Sequence, residues 1–360
     1  MRNSLLTILG SAFCMLNLFS NLSLQAQEDP SFFSKEIEVF NERDSLTLAG
    51  TLRAPDSVGE FPLAIFISGS GPQDRFSTMG KHRPFLRIAN KLLEIGVATL
   101  YFDDRGTGQS SGHRLANTME AEMTDHQLIW DAVPEIVSDS AIQFESVGLI
   151  GHSLGGMIAM ELSRTNPIDF MVLLATHYEK GTEMMLKQKE LIERVSGVPE
   201  DSIQIGLQSL RPVYSLLVEK QDDPQLDSLL LRTIEEMDTT SFYSSTMKKN
   251  LVYQLTQTVM FDILTFDPLE RDYALDMPTL FVYGSKDLQV PPSQRIKHLN
   301  QRMADTLGTI DYVLLSNLNH LLQKSKDGHP LDYYLLDEGI SPLALTVITQ
   351  WLKGVLKQER

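Results

Sequence analysis

Three residues stand in an order that would support nucleophilic catalysis. Gly151-His152-Ser153-Leu154-Gly155 fits Gly-x-Ser-x-Gly, with an apolar run, Ser146 to Ile150, before it and an Ala-, Met- and Leu-bearing helical pattern after it. A serine on a sharp strand-to-helix turn has its hydroxyl held clear of the backbone, and flanking glycines permit the strained turn. The hydroxyl is a weak nucleophile unaided. It needs a histidine base, which needs a carboxylate to fix its tautomer. Asp287 follows the apolar run Leu280 to Tyr283 in the turn Gly284-Ser285-Lys286-Asp287. His320 follows the run Tyr312 to Leu315 in the loop Ser316-Asn317-Leu318-Asn319-His320. Both are expected at the C-terminal edge of a sheet, in the chain order Ser, Asp, His.

The other candidates fit less well. Asp276 precedes its strand and so belongs at the opposite edge. His329 lies farther into the last loop, and His298 falls in a helical pattern spanning Ser293 to Met303. His126 and His177 are out of chain order, and His152 is aimed away from its neighbour Ser153. A developing oxyanion needs two preorganised N–H donors. The N–H of Leu154 is one; the second is expected from the loop Ser68-Gly69-Ser70-Gly71, with Ser70 as the donor. His82 and Arg83, beyond that loop, are expected at the surface.

The elements that position these residues can be read from hydrophobic periodicity. Lys35 to Asn41, Leu46 to Leu52, Phe61 to Ile67, Val97 to Phe102, Ser146 to Ile150, Phe170 to Leu174, Thr279 to Tyr283 and Tyr312 to Leu315 read as strands. Phe85 to Leu93, Gln127 to Val137, Leu154 to Arg164 and Pro342 to Leu356 read as helices. Strands alternating with helices predict an α/β fold, a mostly parallel sheet flanked by helices. The rhythm breaks near residue 178 and resumes near 273. Between them Ile203, Leu207 and Leu210, then Leu226, Leu229, Leu230 and Ile234, carry helical spacing. This predicts a helical cap inserted between two strands, over the site. Asp103-Asp104-Arg105-Gly106-Thr107-Gly108-Gln109-Ser110 contains neither Gly-x-Gly-x-x-Gly nor the P-loop pattern. A structural role, bracing the loop beneath the site, is expected for it. No cluster has metal-ligand spacing, and neither cofactor nor metal is expected.

Composition narrows the class further. The 360 residues are 42% hydrophobic and 22% charged, an ordinary globular balance. A net charge of -16 disfavours nucleic acid or an anionic membrane as partner. Arg2 followed by an uncharged apolar run from Leu5 to Leu24 reads as an export signal covering residues 1–26, cleaved after Ala26. Residues 27–360 then form the mature hydrolytic domain, without stable membrane insertion, in the periplasm or outside the cell. The sole cysteine, Cys14, leaves with the signal, so the mature chain needs no particular redox compartment.

The stretches Ser68 to Arg75, Asp103 to Ser110, Gly151 to Gly156, Gly284 to Pro292 and Asn319-His320, in this order, resemble the α/β-hydrolase superfamily, and within it secreted bacterial esterase-like serine hydrolases. The resemblance implies a cofactor-free triad of Ser153, Asp287 and His320. It also implies a small ester as substrate, with a short peptide as the alternative because the superfamily contains peptidases. Relatives carry an acidic residue where this chain has Leu154, which leaves the triad intact but weakens any transfer of substrate preference.

Overall fold

The computed structural model describes residues 31–113, 118–238, 243–268, 270–271, 273, 275–292 and 310–358. The export signal, Cys14 and the helix expected around His298 lie outside the described residues. Among the described residues no helix is long and apolar enough to cross a membrane.

The chain divides into two compact units, one of them Tyr178–Asp272 and the other built from the flanking sequence. The flanking unit holds one eight-stranded sheet: β1 (Phe33–Asn41), β2 (Leu46–Ala54), β3 (Val58–Ile67), β4 (Ala98–Phe102), β5 (Ala141–His152), β6 (Met171–Leu174), β7 (Thr279–Gly284) and β8 (Ile310–Leu315). The strand order is β1-β2-β4-β3-β5-β6-β7-β8. β1–β2 and β2–β4 pair antiparallel; every later pairing is parallel. β4, β6, β7 and the C-terminal halves of β3 and β5 are near-continuous apolar runs because both of their faces are covered, whereas β8, at the edge, exposes Asp311 and Leu314. Helices α1 (Pro84–Leu93), α2 (Met119–Ile136) and α3 (Leu154–Leu162) follow β3, β4 and β5. α1 joins the C-terminal α9 (Pro342–Gln358) against one face, where Phe85, Ile88 and Leu92 meet Phe66, Ile150, Val172, Val282, Ile348 and Leu352. This is the α/β-hydrolase fold.

The strand order reverses between β3 and β5, the place where open parallel sheets leave a crevice at their carboxyl edge. Ile67 is paired with Gly151, so the loop starting at Ser68 and the turn carrying Ser153 leave the sheet side by side.

Most elements match the expected ones within a few residues. Helix α2 is the exception, starting eight residues before the expected Gln127. Its first turns bury Glu122, Asp125 and His126 beside Met119, so charged residues occupy the positions where an apolar period would have marked the face. Asp125 is neutralised there by Arg105, whose Nε and Nη2 each donate to it at 2.7 Å.

The second unit contains helices α4 (Gly181–Val195), α5 (Glu200–Glu219), α6 (Leu226–Met237), α7 (Ser245–Thr256) and α8 (Val259–Thr265). Its own core gathers Ile203, Leu207 and Leu210 of α5 with Leu226, Leu230 and Ile234 of α6, the periodic positions of the sequence, and adds Met184 and Leu186 of α4. Leu229 is half-buried.

Candidate active site

Ser153 sits between β5 and α3 with φ 55° and ψ -116°. A non-glycine residue there is strained, and strain of this kind is retained where the surroundings over-determine it. The surroundings are backbone. A Cβ at Gly155 would overlap the carbonyl oxygens of Ile67 and Ser68, and one at Gly151 would overlap the Gly155 carbonyl. Glycine alone lets α3 start this close to the end of β3, and the Ser153 N–H is anchored on the Leu174 carbonyl at 2.8 Å. The Ser153 side chain stands at the N-terminus of α3 and does not cap it.

Asp287 and His320 are brought together. His320 Nδ1 donates to Asp287 Oδ2 at 2.9 Å, and both residues are buried. The other carboxylate oxygen, Oδ1, accepts from the N–H groups of Gln289 (2.9 Å) and Val290 (2.7 Å). A carboxylate held by three donors keeps one orientation and fixes the proton of His320 on Nδ1. Nε2 is left as a base. Two loops make the pairing possible. The Lys286 N–H donates to the Leu318 carbonyl at 2.8 Å and the Ser285 N–H to the Leu315 carbonyl at 2.9 Å, tying the Asp287 turn to the His320 turn. Within the latter, Asn319 Oδ1 accepts from the N–H groups of Leu321 (3.0 Å) and Gln323 (2.9 Å).

The residue beside Ser153 contacts the histidine. His152 Nε2 donates to the His320 carbonyl at 3.0 Å, and the two imidazoles lie 4.9 Å apart. A carbonyl can only accept, so the His152 proton is on Nε2. Burial, followed by the nearby His320, pushes the His152 pKa down to about 3, which keeps it neutral. Ser153 Oγ makes no hydrogen bond with another described residue. The N–H groups of Leu154 and Ser70 donate to no described residue, so both donors named from the sequence are available.

The remaining candidates are accounted for by position. Asp276 is exposed ahead of β7, at the other end of the strand. His329 caps a short 3-10 helix, its Nδ1 accepting from the Leu331 N–H at 3.1 Å. His126 is buried on α2, and His177 is buried in the loop just after β6. His82 corrects the surface expectation. It is buried, and its Nε2 donates to the Leu336 carbonyl at 2.8 Å, a partner 254 residues away that no local pattern announces. Arg83 lies over the Phe76 ring at 5.3 Å. Reasoning from sequence also missed the supporting groups: His152, Asn319, and the buried Tyr333, whose hydroxyl accepts from Gln289 Nε2 at 3.0 Å.

A family model described as "Serine aminopeptidase, S33" matches residues 79–326. Esterase EstD of Thermotoga maritima is 23% identical over 320 residues, covering 88% of this chain and 68% of that protein. Among solved structures, the Pyrococcus furiosus esterase Pf2001 superposes with a TM-score of 0.51 at 15% identity, covering 93% of this chain and 95% of its own. The α/β hydrolase GrgF from Penicillium sp. sh18 does so with a TM-score of 0.51 at 17% identity, covering 90% and 98%. At these identities the structural likeness establishes the fold.

Proposed function

The chain belongs to the serine aminopeptidase S33 family, and we propose that it is an exported carboxylic-ester hydrolase working through an acyl-enzyme on Ser153. The observation that carries this reading is the buried hydrogen bond from His320 Nδ1 to Asp287 Oδ2, beside a serine held at positive φ. In the proposed cycle Ser153 Oγ attacks the ester carbonyl while His320 Nε2 takes the serine proton. The tetrahedral oxyanion is held by the N–H groups of Leu154 and Ser70. His320 returns the proton to the departing alcohol, leaving an ester on Ser153. Water, deprotonated by His320, then attacks that ester and releases the carboxylic acid. Asp287 orients the imidazole and stabilises its cationic form. The likeness to Esterase EstD supports an ester as substrate.

A peptidase reading rests on a separate observation, the description of the matching family model as a serine aminopeptidase. Here the same residues cleave a short peptide, and His320 protonates a departing amine. Hydrolysis of short-chain nitrophenyl esters and of aminoacyl nitroanilides by the mature chain separates the two. Ester turnover is expected to dominate and to fall about 10⁴-fold or more in Ser153→Ala. Faster anilide turnover would establish the peptidase, and turnover unchanged in the variant would dismiss both.

A histidine base makes the rate fall as pH drops through the imidazole range, because the protonated ring cannot accept the serine proton. A flat kcat/KM between pH 5 and 8 would contradict that role. Export is proposed from Arg2 and the uncharged run Leu5 to Leu24. N-terminal sequencing of protein from the periplasm or medium is expected to begin at Gln27; Met1 retained on cell-bound protein would reject it.

A further inference from the structure

Two adjacent aspartates follow β4 and do different work. Asp103 forms an ion pair with Arg75 Nη2 at 2.7 Å and accepts from the N–H groups of Arg75 (2.7 Å) and Gln109 (3.0 Å). Asp104 forms no ion pair among the described residues. Its carboxylate holds the loop that follows β3. Ser68 Oγ donates to both of its oxygens, at 2.9 and 3.0 Å, and the Gln73 N–H donates to Oδ2 at 2.7 Å. The Asp104 N–H returns a bond to the Gln73 carbonyl at 3.0 Å. One side chain therefore grips residues 68 and 73, the two ends of the segment that carries Ser70.

The grip reaches the nucleophile. Gln73 Nε2 lies 3.5 Å from the Ser70 carbonyl, and its Oε1 accepts from Ser77 Oγ, so the side chain next to the clamp also borders the Ser70 peptide. The Ser68 carbonyl abuts Gly155, and a Cβ on Gly69 would lie 3.0 Å from His152 Nδ1. A small shift of this segment moves the Ser70 N–H relative to Ser153, and a misplaced oxyanion donor is worth little.

We propose that Asp104 is a positioning residue for ester hydrolysis, fixing the segment from Ser68 to Gln73 so that the Ser70 N–H meets the developing oxyanion. The proposal rests on the Ser153 esterase reading. A carboxylate suits the task because its several lone-pair sites accept from the Gln73 N–H and, across both oxygens, from the Ser68 hydroxyl at once.

The setting of the carboxylate gives the clamp a pH signature. Burial, reinforced by the like charges of Asp103 and Asp125, raises the Asp104 pKa to about 7, against the bonds from Gln73 and Ser68. Arg75 and Arg105 are engaged by those two neighbours. The remaining titratable groups lining the small cavity beside Asp104 are Glu122 and His126, and burial keeps His126 neutral, its pKa down to about 4. Protonating Asp104 removes acceptor capacity from the clamp, so the acid limb of kcat/KM should fall more steeply with pH than one base alone requires.

The test compares the wild type, Asp104→Asn and Asp104→Ala on a short-chain nitrophenyl ester across pH, with melting temperatures alongside. Alanine is expected to lower kcat about 10²-fold with KM changed less than about threefold. Asparagine, like the protonated acid, keeps one acceptor oxygen and should recover only part of that loss at pH 8, with a one-proton acid limb. Alanine kcat within about threefold of wild type would overturn the proposal, as would equal losses in both variants that track melting temperature. Wild-type protein without Ser153-dependent turnover would remove the esterase reading itself, and the role of Asp104 with it.

Discussion

In the sheet unit the decisive contacts are backbone against backbone: the start of α3 rests on the carbonyls that end β3, and a positive-φ serine results. In the helical unit the core is aliphatic side chain against side chain, with Met184, Met185 and Met260 among the leucines. Such side chains adapt to irregular gaps, whereas a carbonyl oxygen does not move aside. The same contrast runs through the charges. Asp287 is fixed by three donors. In the helical unit the buried Lys189 faces Glu193 across one helical turn at 2.5 Å, and burial pushes the Lys189 pKa down despite that partner. Geometry is tightly specified where the proposed chemistry lies and more tolerant where helices only pack.

The predictions divide along that line. The largest effect is expected for Asp287→Asn, which offers His320 an ambiguous partner and permits the wrong tautomer: kcat on the test ester falls about 10⁴-fold, and loss below tenfold would show that the pair does not set the base. Next is Leu230→Ala in the helical core, expected to cost about 2–5 kcal/mol, read by denaturant unfolding. Leu207→Met at the same core should cost less than about 1.5 kcal/mol; a larger loss would mean that this core is as exacting as the site. Gly155→Ala, which sets a methyl against two carbonyls, is expected to cost about 1–3 kcal/mol and to lower kcat as well. Unchanged stability and rate would break the claim that backbone contact sets the turn.

The smallest effect concerns acid stability. His126 and His152 have folded pKa values depressed to about 4 and about 3. Between those values and the ordinary histidine range the unfolded chain binds more protons, so their contribution to stability is lost as pH falls through that window. Asp104, raised to about 7, acts in the opposite direction, favouring the folded state as pH falls below 7. His126→Leu should therefore flatten the fall in melting temperature between pH 6.5 and 4, and an unchanged slope would show that His126 is protonated in the folded chain.

What could be read in the sequence follows the range of the interactions. The places of Ser153, Asp287 and His320 were legible because each lies within five residues of the end of a strand, and a strand announces itself by local apolar composition. Leu154 and Ser70 were legible for the same reason. The start of α2 was hidden because its buried face is charged, and only the fold brings Arg105 to Asp125. His82, Tyr333 and the grip of Asp104 on Ser68 depend on partners brought near by the sheet order. The motif containing Asp104 was visible as a brace, but the residue it holds was not.

The central claim is that Ser153 is an activated nucleophile, and covalent trapping tests it most directly. Mature protein incubated with a fluorophosphonate and analysed by intact mass and peptide mapping should gain one adduct on the peptide carrying Ser153, absent in Ser153→Ala and slowed in Asp287→Asn. An unmodified Ser153 in folded protein, or an adduct that persists in Ser153→Ala, would contradict the account.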